Sequence, residues 1–125
     1  MNKEIKQKWV EALRSGEYKQ GKGTLRTNNN LFCCLGVLCD ITFPDKWENK
    51  LGRWFMSGFD GTLPDDVVKT TETVQNNPYF NLEKVSNRAN LEKYVFPLPT
   101  ASTLSNLNDK GVPFEEIATI IDECF

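Results

Sequence analysis

The segment from Leu31 to Ile41 reads LFCCLGVLCDI and is nearly continuous apolar sequence, broken by one glycine and one aspartate. A run of this length fits either a buried strand or a buried helix, because both hide apolar side chains on every side. Leu35, Leu38 and Cys39 fall on one helical face, and Pro44 bounds the segment. We therefore predict a buried central helix over about 33–41.

The two ends of the chain carry the clearest helical patterns. Ile5, Trp9 and Leu13 recur every four residues, which predicts an amphipathic helix with Trp9 in the core and Gly16 just past its end. Near the C-terminus, Lys110-Gly111 separates two further apolar patterns and predicts a helix pair. The predicted helices outside the central segment cover 3–15, about 65–73, from Thr100 or Ser102 to about 109, and from Pro113 onward.

Strand signals are shorter and rest mainly on turn residues. Consecutive asparagines at 28–30 predict a turn, so residues 24–33 are interpreted as a small β-hairpin. A second hairpin is predicted from Arg53 to Ser57, with a turn near Gly58 and a return toward Leu63. Within 76–99 the segments 79–82 and 94–96 are weaker strand candidates. These elements together predict one compact α+β domain over residues 1–125.

The composition is that of an ordinary globular protein. Hydrophobic residues make up 39% and charged residues 26% of the 125 positions, which is typical of a domain with its own core. The sequence contains neither an apolar run long enough to span a bilayer nor an apolar segment near the N-terminus. We expect a cytoplasmic protein without a membrane partner.

The chain contains no histidine, which excludes a Ser-His-Asp triad, a Cys-His pair and any His-ligated metal built from this chain alone. The cysteines lack metal-ligand spacing, and three of them lie in the apolar central run, so we interpret them as buried thiols. No P-loop motif occurs either. The sequence predicts no cofactor and no metal, and it favours a non-enzyme; Cys34 with Asp40 is the least unfavourable catalytic pair.

Charge is unevenly distributed along the chain. Residues 1–27 hold seven basic and three acidic residues, whereas the remainder holds eight basic and fourteen acidic residues. This pattern predicts a basic face beside an acidic body. The final helix contains acidic residues and neither lysine nor arginine, so duplex phosphates would repel it and we exclude duplex DNA as a partner.

The candidate ligand site combines a glycine-rich loop with aromatic and cationic side chains. Glycines let backbone amides approach an anion, and lysine or arginine nearby adds the positive charge that a phosphate requires. Aromatic rings can stack a nucleobase. The alternatives are a tight turn, ordinary aromatic packing and a structural Arg26–Asp40 ion pair. The predicted ligand-binding residues are Gly21, Lys22, Gly23, Arg26, Arg53 and Trp54.

Several motifs resemble those of a widespread family of small bacteriophage and prophage proteins. The resemblance rests on FCCLGVLCD at 32–40 and on LNDKG at 107–111 followed by Phe114 and Ile117-Ala118. It also includes Gly21-Lys22-Gly23 and Leu63-Pro64, whereas residues 70–99 do not take part. The resemblance implies a phage origin and a shared fold more than a particular reaction.

Three functional readings follow for a phage accessory protein acting in the host cytoplasm, with counter-defence as the expected role. The first is binding of a small phosphorylated or nucleotide-like ligand through Lys22, Arg26 and an aromatic wall. The second is a protein–protein inhibitor that occludes a host defence protein through its acidic body or its aromatic hairpin. The third is a small enzyme acting on a nucleotide or a protein. A homo-oligomeric state is left open.

Overall fold

The computed structural model describes residues 1–73 and 103–124, in which helices alternate with short strands. The helices are α1 (Lys3–Arg14), α2 (Cys34–Thr42), α3 (Asp65–Thr71), α4 (Thr103–Asp109) and α5 (Phe114–Cys124). The strands are β1 (Lys19–Gln20), β2 (Leu31–Phe32), β3 (Trp47–Lys50) and β4 (Arg53–Met56). This arrangement confirms the predicted α+β fold. The strand candidates at 79–82 and 94–96, and the predicted helix start at Thr100 or Ser102, lie outside the described residues.

Helix α2 lies at the centre of the core, as predicted. All of its residues from Cys34 to Cys39 are buried, and the helix contacts α1, α3 and α4. A Cβ atom added to Gly36 would lie 1.8 Å from the carbonyl oxygen of Leu25. The glycine therefore allows the backbone of α2 to pack directly on the backbone of the segment before β2.

Helix α1 is fixed at both of its ends and in its middle. The side chain of Asn2 accepts hydrogen bonds from the amides of Glu4 and Ile5 and so caps the N-terminus. Gly16 follows the C-terminus with a φ of 78°, the left-handed conformation predicted for it. Trp9 is fully buried, and its indole Nε1 donates to the carbonyl oxygen of Cys34 at 2.9 Å. The prediction that Trp9 anchors α1 in the core is confirmed.

The first predicted hairpin is only partly formed. The turn at 27–30 is present, with Asn30 at a φ of 59°, but the antiparallel pairing is a single bridge between Arg26 and Phe32. Strand β2 pairs instead with β1 in parallel, with Lys19 opposite Leu31. The amide of Gly21 donates to the carbonyl of Phe32 at 2.7 Å. The start of the glycine loop therefore lies beside β2, where the predicted hairpin would have placed an antiparallel strand.

The second predicted hairpin has the correct strand but the wrong partner. Strand β4 pairs with the preceding β3 rather than with a segment returning toward Leu63. Leu51 and Gly52 form the connecting two-residue turn, with φ values of 53° and 81°, and such a turn suits the twist of a hairpin. A second tight turn at Ser57 and Gly58 forms only one bridge and then leads toward α3. The sequence did not reveal the first turn because leucine is not a turn residue.

Candidate functional site

The glycine loop at 21–23 uses its backbone groups to hold the protein together. Gly21 is buried; its amide donates to Phe32, and its carbonyl oxygen accepts from Nδ2 of Asn108 at 2.8 Å. The amide of Gly23 donates to a carboxylate oxygen of Asp109 at 3.1 Å. Two amides that could have met a phosphate are therefore bonded within the chain, one of them to a carboxylate.

Asn108 organises this part of the structure and was not among the predicted site residues. Its side chain is completely buried, and its Oδ1 accepts from Nε2 of Gln20 at 2.9 Å and from the amide of Cys34 at 3.2 Å. The end of α4 is thereby fastened to the glycine loop and to the start of α2. The motifs at 21–23 and 107–111 thus meet in space, which no local pattern in the sequence could indicate.

Lys22 is the member of the glycine loop whose side chain faces solvent. Its Nζ lies 3.7 Å from the position that a Cβ atom on Gly111 would occupy. Within residues 1–73 and 103–124 its ammonium group makes neither a hydrogen bond nor an ion pair. The charge of Lys22 is therefore not neutralised by a contact in the described structure.

Arg26 lies several residues farther along and is enclosed by aromatic rings. Its guanidinium carbon is 3.8 Å from the ring centroid of Trp54 and 5.4 Å from those of Phe32 and Trp47. Both Nε and Nη2 donate to Oδ1 of Asn30, at 3.0 and 2.7 Å. Partial burial lowers the pKa of Arg26 from its ordinary value. This stack fixes the guanidinium against one face of Trp54.

The predicted ion pair between Arg26 and Asp40 does not form. The Asp40 carboxylate instead accepts from the hydroxyl of Tyr18 at 2.5 Å and from Nε1 of Trp47 at 2.9 Å. Burial, together with the bond to Asp40, raises the pKa of Tyr18. Two neutral donors thus satisfy the aspartate, and Arg26 is free to stack on the rings. The negative charge of Asp40 still favours the charged form of Arg26 from a distance.

The rings around Arg26 form a continuous aromatic cluster, comprising Tyr18, Phe32, Trp47 and Trp54. Neighbouring rings in that order meet edge to face, with centroids separated by 5.1, 6.2 and 6.5 Å. Such edge contacts add to the stabilisation gained from area burial. The cluster joins β2 to both strands of the β3–β4 hairpin, and it therefore fixes the hairpin on the body of the protein.

Arg53 does not share a site with Trp54, although the two residues are adjacent in sequence. Successive residues of a strand point to opposite faces of the sheet, and Arg53 is exposed. Its Nη2 forms an ion pair with Asp60 at 2.5 Å. The structure therefore brings Arg26 and Trp54 together. Lys22 lies apart from this pair, in the glycine loop, and the side chain of Arg53 is directed to Asp60.

The buried cysteines are poorly suited to nucleophilic chemistry. Cys33, Cys34 and Cys39 are free and buried, and burial raises the pKa of all three thiols, that of Cys33 to about 11. Cys34 donates through its Sγ to the carbonyl of Leu104, whereas Asp40 is bonded elsewhere. In the described part of the chain, Cys34 and Asp40 are therefore not hydrogen-bonded to each other and do not form a catalytic pair.

Residues 1–73 and 103–124 contain no group of three or more cysteine, aspartate or glutamate side chains placed to hold a metal ion. In the same residues no helix has both the length and the apolar character needed to cross a bilayer.

The tip of the β3–β4 hairpin carries an unusual residue. Leu51 has a relative exposure of 104% and a φ of 53°. Non-glycine residues in the left-handed region are uncommon, and those found there are most often asparagine or aspartate. The large apolar side chain is therefore presented to solvent from a backbone conformation that does not favour it.

Comparison with known proteins places the chain in a family. No curated protein and no solved structure matches it. A family model described as a domain of unknown function matches residues 1–125, the whole chain. The protein therefore belongs to the DUF8296 family.

Proposed function

We propose that this protein is a phage or prophage accessory protein that binds a host protein in the cytoplasm through the tip of its β3–β4 hairpin. Occlusion of a defence protein is the role that this origin favours. The origin is supported by the motif resemblance, in particular by the central segment at 32–40 and by LNDKG at 107–111. The mode of action is supported by Leu51.

The observation that carries the proposal is that Leu51 combines an unfavourable backbone conformation with an exposed apolar side chain. A left-handed conformation costs a non-glycine residue about 1–2 kcal/mol, and the exposed side chain makes no compensating contact in the core. Burying a leucine in an apolar pocket contributes about 1.5–3 kcal/mol. A partner pocket that accepts Leu51 would therefore supply the stabilisation that the free hairpin lacks.

The hairpin is also ordered before it binds, because its side chains pack on the body of the protein. The stack of Arg26 on Trp54 attaches β4 to the body, and the edge contact between Phe32 and Trp47 attaches β3. A segment that is already ordered loses less conformational entropy on association. The tip residues Lys50, Leu51 and Gly52 are all exposed, so a protein surface can reach them, although Gly52 lies close to the side chain of Asn28.

The test compares Leu51→Asn with Glu72→Asn. Glu72 is exposed and has a φ of 57° at the end of α3, so it provides the same backbone conformation away from the hairpin. Asparagine relieves the left-handed strain at both positions, and both variants should melt at or above the temperature of the parent protein. A host protein recovered with the parent should be recovered with Glu72→Asn and lost with Leu51→Asn. Equal recovery with both variants would contradict binding through the tip.

Binding of a small phosphorylated or nucleotide-like ligand is the second candidate, and the exposed ammonium group of Lys22 favours it. Because this lysine has no ion-pair partner in the described residues, it could contact a phosphate without first losing another interaction. A thermal-shift panel of nucleotides tests this candidate. Stabilisation of the parent that is lost in Lys22→Ala supports it, whereas stabilisation by none of the nucleotides contradicts it.

A further inference from the structure

Helices α1 and α5 border a groove of about 670 Å³, which is within the size range of small-molecule sites. Lys3, Lys6 and Arg14 contribute three positive charges to its lining, and Val10 provides an apolar surface between them. We propose that this groove binds a small, elongated anion that carries more than one phosphate, such as a nucleoside triphosphate. This site is separate from the hairpin tip and from the glycine loop, so the inference goes beyond both proposed functions.

The three cations lie along one stripe of α1. At 100° per residue, Lys3 and Arg14 differ by about 20° around the helix axis, and Lys6 lies within about 80° of both. With a rise of 1.5 Å per residue, Lys3 and Arg14 are about 16 Å apart along the axis. A single phosphate cannot reach both ends of such a stripe, whereas a chain of phosphates with an attached nucleoside can.

Arg14 is positioned by a contact with the opposite helix. Its Nη2 donates to Oγ1 of Thr119 at 3.2 Å, and that hydroxyl in turn donates to the carbonyl oxygen of Glu115. A guanidinium has five N–H donors, so this single bond leaves others for a ligand. The contact places a fork suited to phosphate at one end of the groove.

Two carboxylates also line the groove and limit the affinity that we expect. Glu11 accepts a hydrogen bond from Nε2 of Gln7 at 3.2 Å, and Asp122 lies on the α5 side. Among the described residues of the lining, the side chains of Lys3, Lys6 and Arg14 therefore lie beside two carboxylates. We therefore expect the ligand to be held by contacts between its phosphates and individual cations rather than by a strong positive electrostatic potential.

The experiment is a titration of the full chain with ATP at about 0.15 M salt, where charges more than about 8 Å apart are largely screened, followed by amide chemical shifts in NMR spectra and by calorimetry. The groove variants are Lys3→Gln and Arg14→Gln, and Lys8→Gln is the matched control. Lys8 is exposed on the same helix and is not part of the groove lining, and its substitution removes the same charge. Lys22→Gln reports on the glycine loop, and inorganic phosphate serves as the short ligand.

We expect ATP to shift amides in α1 and α5 and to bind more tightly than phosphate. Each groove variant should raise the Kd for ATP by at least about fivefold, which corresponds to about 1 kcal/mol, while Lys8→Gln changes it by less than about twofold. Equal weakening by Lys8→Gln and Lys3→Gln would show attraction to net charge alone and overturn the proposal. Absence of binding, equal affinity for phosphate, or weakening by Lys22→Gln alone would overturn it as well. The Leu51 comparison is independent of all these results.

Discussion

Replacing Asn108 by alanine is the change that most severely tests how the structure is held together. The amide side chain serves three segments at once, because it bonds Gln20, the carbonyl of Gly21 and the amide of Cys34. Alanine at this position removes every one of these bonds. Gln20 retains its second acceptor, the carbonyl oxygen of Val112 at 2.7 Å, whereas the other two groups lose their described side-chain partner.

The expected cost follows from the groups that are stranded. Gly21 and Cys34 are buried, and a buried polar group left without a partner costs about 1–3 kcal/mol. Two such groups give a loss of about 2–6 kcal/mol, which is a large part of the 5–15 kcal/mol that stabilises a typical domain. Asn108→Asp should be at least as damaging, since a carboxylate would then face the carbonyl of Gly21 and the neighbouring Asp109.

Urea denaturation monitored by tryptophan fluorescence measures this loss. Asn29→Ala is the control, because Asn29 is exposed in the turn at 27–30 and its substitution should change the free energy of unfolding by no more than about 0.5 kcal/mol. If Asn108→Ala costs less than about 1 kcal/mol, the inference that Asn108 fastens α4 to the glycine loop is refuted.

Three further predictions address the core, the arginine stack and the thiols. Gly36→Ala should prevent folding or cost several kcal/mol, because its Cβ would collide with the backbone of Leu25. The control is Gly61→Ala, which has open space around it and should leave the melting temperature nearly unchanged. Arg26→Ala should cost about 1–3 kcal/mol and change the tryptophan emission, since it removes the ring contacts and the bonds to Asn30; an unchanged spectrum and melting temperature would contradict the stack. The pKa of Cys33 is raised to about 11 from an ordinary 9.0. The contribution of this thiol to the free energy of unfolding is therefore fully retained below about pH 9 and is lost as the pH rises toward 11, because the unfolded state ionises first. Alkylation at pH 8, followed by peptide mass spectrometry, should therefore modify Cys33 far more slowly in the native protein than in urea.

The parts of the fold that were predicted correctly have causes within a short stretch of sequence. The apolar run at 31–41 predicted a buried segment because almost any packing must bury it, and the helical face shared by Leu35, Leu38 and Cys39 favoured a helix. Gly16 marked the end of α1, since a left-handed residue commonly follows a helix. The turn at 27–30 followed from asparagine, which tolerates the same conformation.

The corrected parts depend on contacts between distant segments. The parallel pairing of β1 with β2 and the bond from Asn108 to Gly21 join residues with no common local pattern. The predicted Arg26–Asp40 pair considered charge alone, and it overlooked the hydroxyl of Tyr18 and the indole of Trp47 as donors. The candidate site residues were chosen by residue type, and their arrangement in space depends on such contacts between distant segments.

Site-specific photo-cross-linking at the hairpin tip tests the central claim most directly. A benzophenone amino acid is introduced at position 51 in one preparation and at position 72, at the end of α3, in the other, and both proteins are irradiated in host cells. The proposed function predicts that one host protein is cross-linked from position 51 and not from position 72. Absence of a cross-link from position 51, or the same products from both positions, would contradict binding through the β3–β4 hairpin.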